Sequence, residues 1–271
     1  SEGANTNIPD GPPRKPYPGK PPQRKPPVVK TLKSPIVWFV GVATVVLLVG
    51  LWSQLERIFV FFPTAEVRYT PEGVGLAYEE VFFPTSDGHR LHGWYVPGDS
   101  DTTLLWFHGN GGNISHRVEE LALFRHRLGV NQFIFDYRGY GRSSGTPSEK
   151  GTYHDSRAAL EYLTSRSDLA PEKIVYFGRS LGAAVAVELA ASREPLGLVL
   201  VAPFSSISDM AKVAFPFTPF HLLVRGRYDS ITTIRQIHRP VLILHGDQDA
   251  TVPLSQGKKL FEAANQPKRF Q

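Results

Sequence analysis

An α/β fold, with a mostly parallel sheet and helices on both faces, is predicted from three observations. From about Tyr78 onward, short apolar runs alternate with segments of helical periodicity. The runs span only four to six residues and are apolar almost throughout, as expected of strands buried on both faces. Their C-terminal ends carry glycine-rich turns together with Ser, His, Asn and Asp. Strand–helix alternation of this kind specifies parallel pairing through right-handed crossovers.

In chain order, Val81–Pro84 and Leu91–Val96 are expected to form an antiparallel pair around Ser86-Asp87-Gly88. Strands follow at Thr103–Phe107, Gln132–Phe135, Ile174–Phe177, Leu198–Val201 and Val241–Leu244. Between them, Ile114–Leu128, Ser148–Arg166, Leu181–Ser192 and Ser255–Ala264 have helical patterns. This domain is expected over 78–271, with a short cap at 203–239 and a connector at 56–77 in front. No internal repeat is visible.

The N-terminal region differs in composition. Residues 1–34 hold nine prolines up to Pro27, interleaved with Arg14, Lys15, Lys20, Arg24 and Lys25, and read as a disordered, partly polyproline tail. Ser34 to Leu55 is 22 residues without a charge, long enough as a helix to cross a hydrocarbon core of ~30 Å. A transmembrane helix is expected over 35–55, with the lipid bilayer as partner and Trp38 and Trp52 near its ends. A cleaved signal peptide is the alternative, against which Val49-Gly50-Leu51-Trp52-Ser53-Gln54 offers a poor small-residue cleavage site. Seven basic residues from Arg14 to Lys33 precede the stretch, so the tail is expected in the cytoplasm and the domain on the opposite side.

The net charge of +5 comes from that tail; without it the excess of Lys and Arg over Asp and Glu disappears, and nothing suggests a nucleic-acid partner. Hydrophobic and charged fractions of 41% and 20% exclude a wholly disordered chain. With no cysteine, thiol nucleophiles, disulfides and Cys-ligated metal sites are excluded. The sequence starts at Ser1 and its one methionine is Met210, so an incomplete or processed N-terminus is expected.

Gly178-Arg179-Ser180-Leu181-Gly182 fits G-x-S-x-G, a pattern for which composition predicts roughly 0.15 chance matches, so its context carries the weight. A strand, Ile174-Val175-Tyr176-Phe177, precedes it, and a small-residue helix from Leu181 follows. Such a turn exposes a strained serine at a helix N-terminus, where backbone N–H groups and the helix dipole stabilise developing negative charge. A second loop, His108-Gly109-Asn110-Gly111-Gly112-Asn113, follows Thr103–Phe107 and can supply another oxyanion N–H, placed on Asn110; Leu181 supplies the first. His108 belongs to the loop itself and is expected to be structural.

With these residues in place the chain resembles the α/β-hydrolase superfamily, and more closely the membrane-anchored α/β-hydrolase-domain proteins, a group that includes relatives of protein depalmitoylases. Four blocks carry the likeness: 107–113, 136–143 (Asp136-Tyr137-Arg138-Gly139-Tyr140-Gly141-Arg142-Ser143), 145–149 (Gly145-Thr146-Pro147-Ser148-Glu149) and 177–182. The resemblance implies an α/β-hydrolase fold, a Ser180 nucleophile, and an acid in His245-Gly246-Asp247-Gln248-Asp249-Ala250-Thr251-Val252-Pro253. The acid falls on Asp249, with Asp247 as a turn residue and Asp209 as a weaker alternative. Asp136 and Arg138 are read as loop-stabilising.

The resemblance also implies a catalytic histidine after one further strand, and the sequence stops at Lys268-Arg269-Phe270-Gln271, where that strand would start. None of the nine histidines occupies the position, so the last strand and helix are expected beyond Gln271. Met210, Phe215, Phe217, Phe220, Leu222 and Leu223 of the cap either line an acyl pocket or pack on the core. The expected activity is a membrane-anchored serine hydrolase acting on esters, thioesters or amides of a small-molecule or acylated substrate, without metal or organic cofactor. The alternatives are a tethered, non-catalytic interaction domain lacking the base, and a serine peptidase.

Overall fold

The computed structural model describes residues 38–44, 46, 47, 50, 60–218 and 228–271. The chain divides into two units, 1–49 and 50–271. In the first, residues 38–44, 46 and 47 are helical, with Trp38, Phe39, Val40, Val46 and Leu47 exposed. The tail 1–34 lies outside the described residues, as do positions 35–37, 45, 48, 49 and 51–55 of the expected anchor. Among the described residues, no helix is long and apolar enough to cross a membrane.

The second unit runs through β1 (Phe62–Pro63), β2 (Glu79–Pro84), β3 (Arg90–Val96), β4 (Thr103–Phe107), β5 (Gly111–Gly112), α1 (Val118–Leu128), β6 (Asn131–Asp136), α2 (Glu149–Ser165), β7 (Ile174–Arg179), α3 (Leu181–Ser192), β8 (Gly197–Val201), α4 (Ile207–Ala214), α5 (Ser230–Thr233), β9 (Val241–Leu244), α6 (Leu254–Ala263) and β10 (Lys268–Phe270). Eight strands form one sheet in the order β10-β9-β8-β7-β4-β6-β3-β2. Pairing is parallel from β6 to β10, while β3 runs antiparallel to both β6 and β2.

Side-chain alternation along the strands divides the core between the two faces of the sheet. Trp94, Trp106, Ile134 and Phe177 pack on one side with Val118 and Leu121 of α1. Tyr95, Leu105, Phe107, Phe133, Phe135 and Tyr176 pack on the other with residues of α2 and α3. α3 is apolar nearly all round and almost wholly buried, as expected of a central helix. The Ser148 hydroxyl accepts the Gly151 N–H at 3.1 Å and starts α2.

Two boundaries differ from the sequence expectation. The segment 56–77 is more than a connector, because from Val60 it joins the domain: Val60, Phe61 and Leu76 are buried in the two cores. The last strand was expected beyond Gln271, yet Lys268, Arg269 and Phe270 already pair with Val241, Leu242 and Ile243. Three residues with two charges give no apolar run to read. What holds them is the parallel ladder and the Lys268 ammonium, which caps the C-terminal end of α6 through the carbonyls of Phe261 (2.7 Å) and Ala264 (2.8 Å). The described part of the cap holds α4, α5 and a 3-10 turn at Ile234–Gln236; residues 219–227 lie outside the described residues.

Candidate active site

Ser180 stands between β7 and α3 with φ +52° and ψ −115°, a conformation that strains any residue with a Cβ by ~1–3 kcal/mol. The surroundings enforce it. The Ser180 N–H donates to Val201 O at the end of β8 (2.9 Å), and the Ser180 carbonyl accepts the Ala183 N–H (3.0 Å). A Cβ at Gly178 would stand 2.5 Å from Gly182 O, and one at Gly182 would stand 2.0 Å from Phe107 O. Helix and strand approach this closely only because both positions are glycine.

The loop after β4 lies against this turn: a Cβ at Gly109 would be 3.6 Å from Arg179 O and 3.8 Å from Ser180 Cβ. Asn110 is the next residue. No hydrogen bond among the described residues takes up the backbone N–H of Asn110 or of Leu181. His108 is fully buried. Its Nδ1 lies 2.6 Å from Gly109 O, and its rings neighbours are Tyr137 and Tyr140. Burial pushes the imidazole down to about 4 despite the Asp136 carboxylate 3.7 Å away, so the ring stays neutral and builds the loop. Asp136 also accepts the Ile114 N–H (2.9 Å), and Arg138 pairs with Asp87 and Asp155, which gives both residues of the 136–143 block the structural roles read for them.

The acid loop follows β9. Asp249 Oδ1 accepts the N–H groups of Thr251 (2.8 Å) and Val252 (2.9 Å), a geometry that fixes the carboxylate and leaves Oδ2 for another donor. Asp247 is exposed. The local turn bonds expected of Asp247 are therefore made by Asp249, whose carboxylate lies next to the amides of a tight turn. Asp209 is committed elsewhere. It accepts from Ser205 Oγ (2.8 Å), Lys212 (3.1 Å) and Lys259 (3.0 Å). Burial raises its carboxyl, but the hydroxyl and the two lysines outweigh that and hold it at about 2.

The two loops emerge at the same edge of the sheet. The Ser180 N–H bonds to the end of β8, and the Ala202 N–H bonds to Leu244 O at the end of β9 (2.8 Å). Among the described residues, no hydrogen bond or ion pair joins a histidine to Ser180 or Asp249; His245 Nε2 lies 2.8 Å from Val252 O, and His92 pairs with Glu80. His221 lies outside the described residues. No group of three potential metal ligands occurs among the described residues. In the cap, Met210 packs on the core while Phe217 is almost fully exposed; Phe220, Leu222 and Leu223 lie outside the described residues.

One contributor was not foreseen. Val60–Thr64 runs beside the loop after β4, and β1 pairs in parallel with β5. A two-residue strand leaves no periodic signal; only the apolar run Ile58-Phe59-Val60-Phe61-Phe62 after Glu56-Arg57 hints at it.

Comparison with known proteins places this geometry. The family model described as serine aminopeptidase, S33 (Hydrolase_4) matches residues 98–232. An uncharacterized protein of Mycobacterium tuberculosis, Rv2307c, is 42% identical over 87% of this chain and 84% of its own length. The α/β-hydrolase domain-containing protein WAV2 of Arabidopsis thaliana is 38% identical over 82% of this chain and 79% of its own length. Protein bem46 of Schizosaccharomyces pombe is 34% identical, covering 84% and 81%. Among solved structures, a Pyrococcus furiosus esterase superposes with a TM-score of 0.65 at 22% identity, covering 78% of this chain and 87% of its own. The chain belongs to the α/β-hydrolase superfamily. Within it, the chain falls in the group that holds WAV2 and bem46.

Proposed function

We propose that the protein is a serine hydrolase that cleaves ester or thioester bonds through an acyl-enzyme on Ser180. The observation that carries this reading is the strained Ser180, flanked by the unused backbone N–H groups of Asn110 and Leu181. The hydroxyl attacks the carbonyl carbon, the carbonyl oxygen becomes an oxyanion between the two N–H groups, and the leaving group takes the serine proton by way of a histidine. Asp249 Oδ2 orients that histidine, and water then releases the acyl group. An amide bond would be cleaved by the same steps, and the serine aminopeptidase description of the matching family model favours this as the second reading.

In this reading the histidine follows β10. Gln271 exchanges backbone hydrogen bonds with the end of β9: its N–H donates to Ile243 O (2.9 Å), and its carbonyl accepts the His245 N–H (3.0 Å). Residues after it would emerge beside the acid loop, at the edge that carries Ser180. They would also cover an apolar hollow of about 370 Å³ on the sheet, lined by Val175, Val199, Val241, Leu242 and Pro267 among others. A fluorophosphonate probe should label Ser180 in a form continued past Gln271 with such a histidine, and labelling should vanish in Ser180→Ala. A form ending at Gln271 should turn over p-nitrophenyl esters ~10⁴-fold more slowly. Equal turnover in the two forms would place the base inside the present sequence, and equal labelling of the serine variant would exclude Ser180.

The protein is further proposed to be anchored by 35–55 with its tail in the cytoplasm. The uncharged stretch and the seven basic residues before it support this. Protease added outside sealed right-side-out vesicles should cut after Tyr69 and spare the tail; the reverse pattern would overturn the orientation.

A further inference from the structure

The segment that enters the domain, Val60–Glu66, spends its hydrogen-bonding groups on one neighbour in particular, the loop after β4. The Phe62 N–H donates to Asn110 O (3.2 Å) and the Thr64 N–H to Gly112 O (3.1 Å). In return, Asn110 Nδ2 donates to Val60 O (2.9 Å), and Asn113 Nδ2 donates to both Thr64 O (2.9 Å) and Glu66 O (2.7 Å). Thr64 O also accepts the Gly141 N–H (3.0 Å), which ties in the loop after β6. From that same loop the Tyr140 hydroxyl donates to Asn110 O (2.8 Å). Val60 and Phe61 anchor the segment in the core, Phe61 against the ring of Tyr228, while Phe62 stays half exposed.

The placement bears on Asn110. Both its carbonyl and its side chain are taken up by the entering segment and Tyr140, and its backbone N–H is left over. The Asn110 N–H lies in the peptide plane of the Gly109 carbonyl, which His108 Nδ1 holds at 2.6 Å; the bonds to the Asn110 carbonyl and side-chain amide fix the next peptide and the Asn110 Cα, so the plane is held from both ends. A loop rich in glycine, Gly109, Gly111 and Gly112, would otherwise sample many conformations. An oxyanion donor is effective only when it is aimed before the charge develops.

We propose that Val60–Thr64 is a positioning segment of the catalytic site, which holds the Asn110 N–H at the place where the oxyanion forms. The site is then built in part from the stretch of chain that directly follows the apolar region, outside the block of 98–232 that the family model matches. The inference rests on the reading of Ser180 as nucleophile, and it predicts that loosening this segment slows the reaction without weakening substrate binding.

The test compares Phe62→Pro, which removes the N–H that reaches Asn110, with Phe62→Ala, which removes the half-exposed ring and keeps the N–H. In a form continued past Gln271 with the histidine, Phe62→Pro should lower kcat by ~10- to 100-fold with KM changed less than ~3-fold, as expected for an oxyanion donor moved off its mark. Phe62→Ala should stay within ~2-fold of the unaltered chain. Asn110→Ala, which keeps its backbone N–H but loses the bond to Val60 O, should lower kcat in the same direction, and it stands in if the proline variant fails to fold. Hydrogen exchange gives a readout that needs no activity: amides over 60–66 and 108–116 should exchange faster in Phe62→Pro than in Phe62→Ala, with those over 174–187 unchanged. Unchanged kcat in both Phe62→Pro and Asn110→Ala, or equal exchange in the two Phe62 variants, would overturn the positioning role. A fall in KM-limited binding alone would do the same. If Ser180 proves unreactive in a form continued past Gln271 with the histidine, the nucleophile reading fails, and the exchange comparison still decides whether the segment holds the loop.

Discussion

The loop after β4 and the loop after β9 emerge at the edge of the sheet that carries Ser180, and they are held to very different degrees. In the first, the carbonyls of His108, Gly109, Asn110, Gly111 and Gly112 all accept hydrogen bonds, from Tyr137, His108, Tyr140 with Phe62, Arg117 and Thr64 respectively. In the second, Gly246, Asp247 and Gln248 are exposed, and the loop is fastened chiefly by the Asp249 carboxylate and the contact of His245 with Val252 O. The contrast follows from the work each would do. An oxyanion donor contributes most when nothing has to reorganise during the reaction. An acid that steered a histidine would need one fixed carboxylate, and the Asp249 carboxylate is fixed by two bonds.

The largest effect expected from breaking this contrast lies on the acid side. Asp249→Asn should lower kcat for an ester substrate by ~10⁴-fold in a histidine-bearing form, because the imidazole loses the partner that sets its tautomer. Asp247→Asn, two residues away and exposed, should change kcat by less than ~3-fold. Comparable losses in the two variants would show that the loop acts as a whole and that the carboxylate of Asp249 has no special place.

A smaller effect separates the two regions by stability. Gly182→Ala puts a methyl 2.0 Å from Phe107 O and should cost ~3 kcal/mol, since strand and helix must move apart. Gly246→Ala meets nothing within 4 Å and should change stability by less than ~1 kcal/mol. Urea unfolding of both measures the difference; equal midpoints would mean that the turn at Ser180 gives way as easily as the acid loop.

How far the sequence reveals each region follows the same division. The strands Thr103–Phe107 and Val241–Leu244 and the helix Leu181–Ser192 have the boundaries read from their apolar runs, because burial on both sides of a strand or around a helix writes itself into composition. Gly178, Ser180 and Gly182 were legible because close approach demands glycine at fixed offsets. The support of the loop after β4 was not. Phe62 and Thr64 act through backbone N–H groups, which every residue but proline possesses, so their identity carries no trace of the contact. β10 escaped for a related reason: Lys268 and Arg269 are charged, and the strand is held by its ladder and by the Lys268 cap on α6.

The smallest effect concerns the protonation of His108, on which the first loop depends. Its ring is fully buried, with Asp136, Tyr137 and Tyr140 around it, the Arg117 guanidinium nearby, and Nδ1 turned to Gly109 O. Burial lowers the imidazole from 6.5 to about 4. The unfolded chain therefore binds a proton at this position as pH falls through 6.5, while the folded chain does not until near 4. Stability from this group is complete above the unfolded value and is lost on acidification between the two. From pH 7 to pH 5 the loss should be ~2 kcal/mol. The carboxyls of Asp87 and Asp209, held low by Arg138 and by Ser205 with its two lysines, stay charged in both states over that window and add nothing to the slope. His108→Asn cannot take up the proton, so its stability, although lower at pH 7, should fall by ~2 kcal/mol less than that of the unaltered chain between pH 7 and pH 5. Parallel pH slopes for the two proteins would show that the loop accepts a charged imidazole, and the neutral His108 would then not be part of what holds the Asn110 carbonyl and N–H in place.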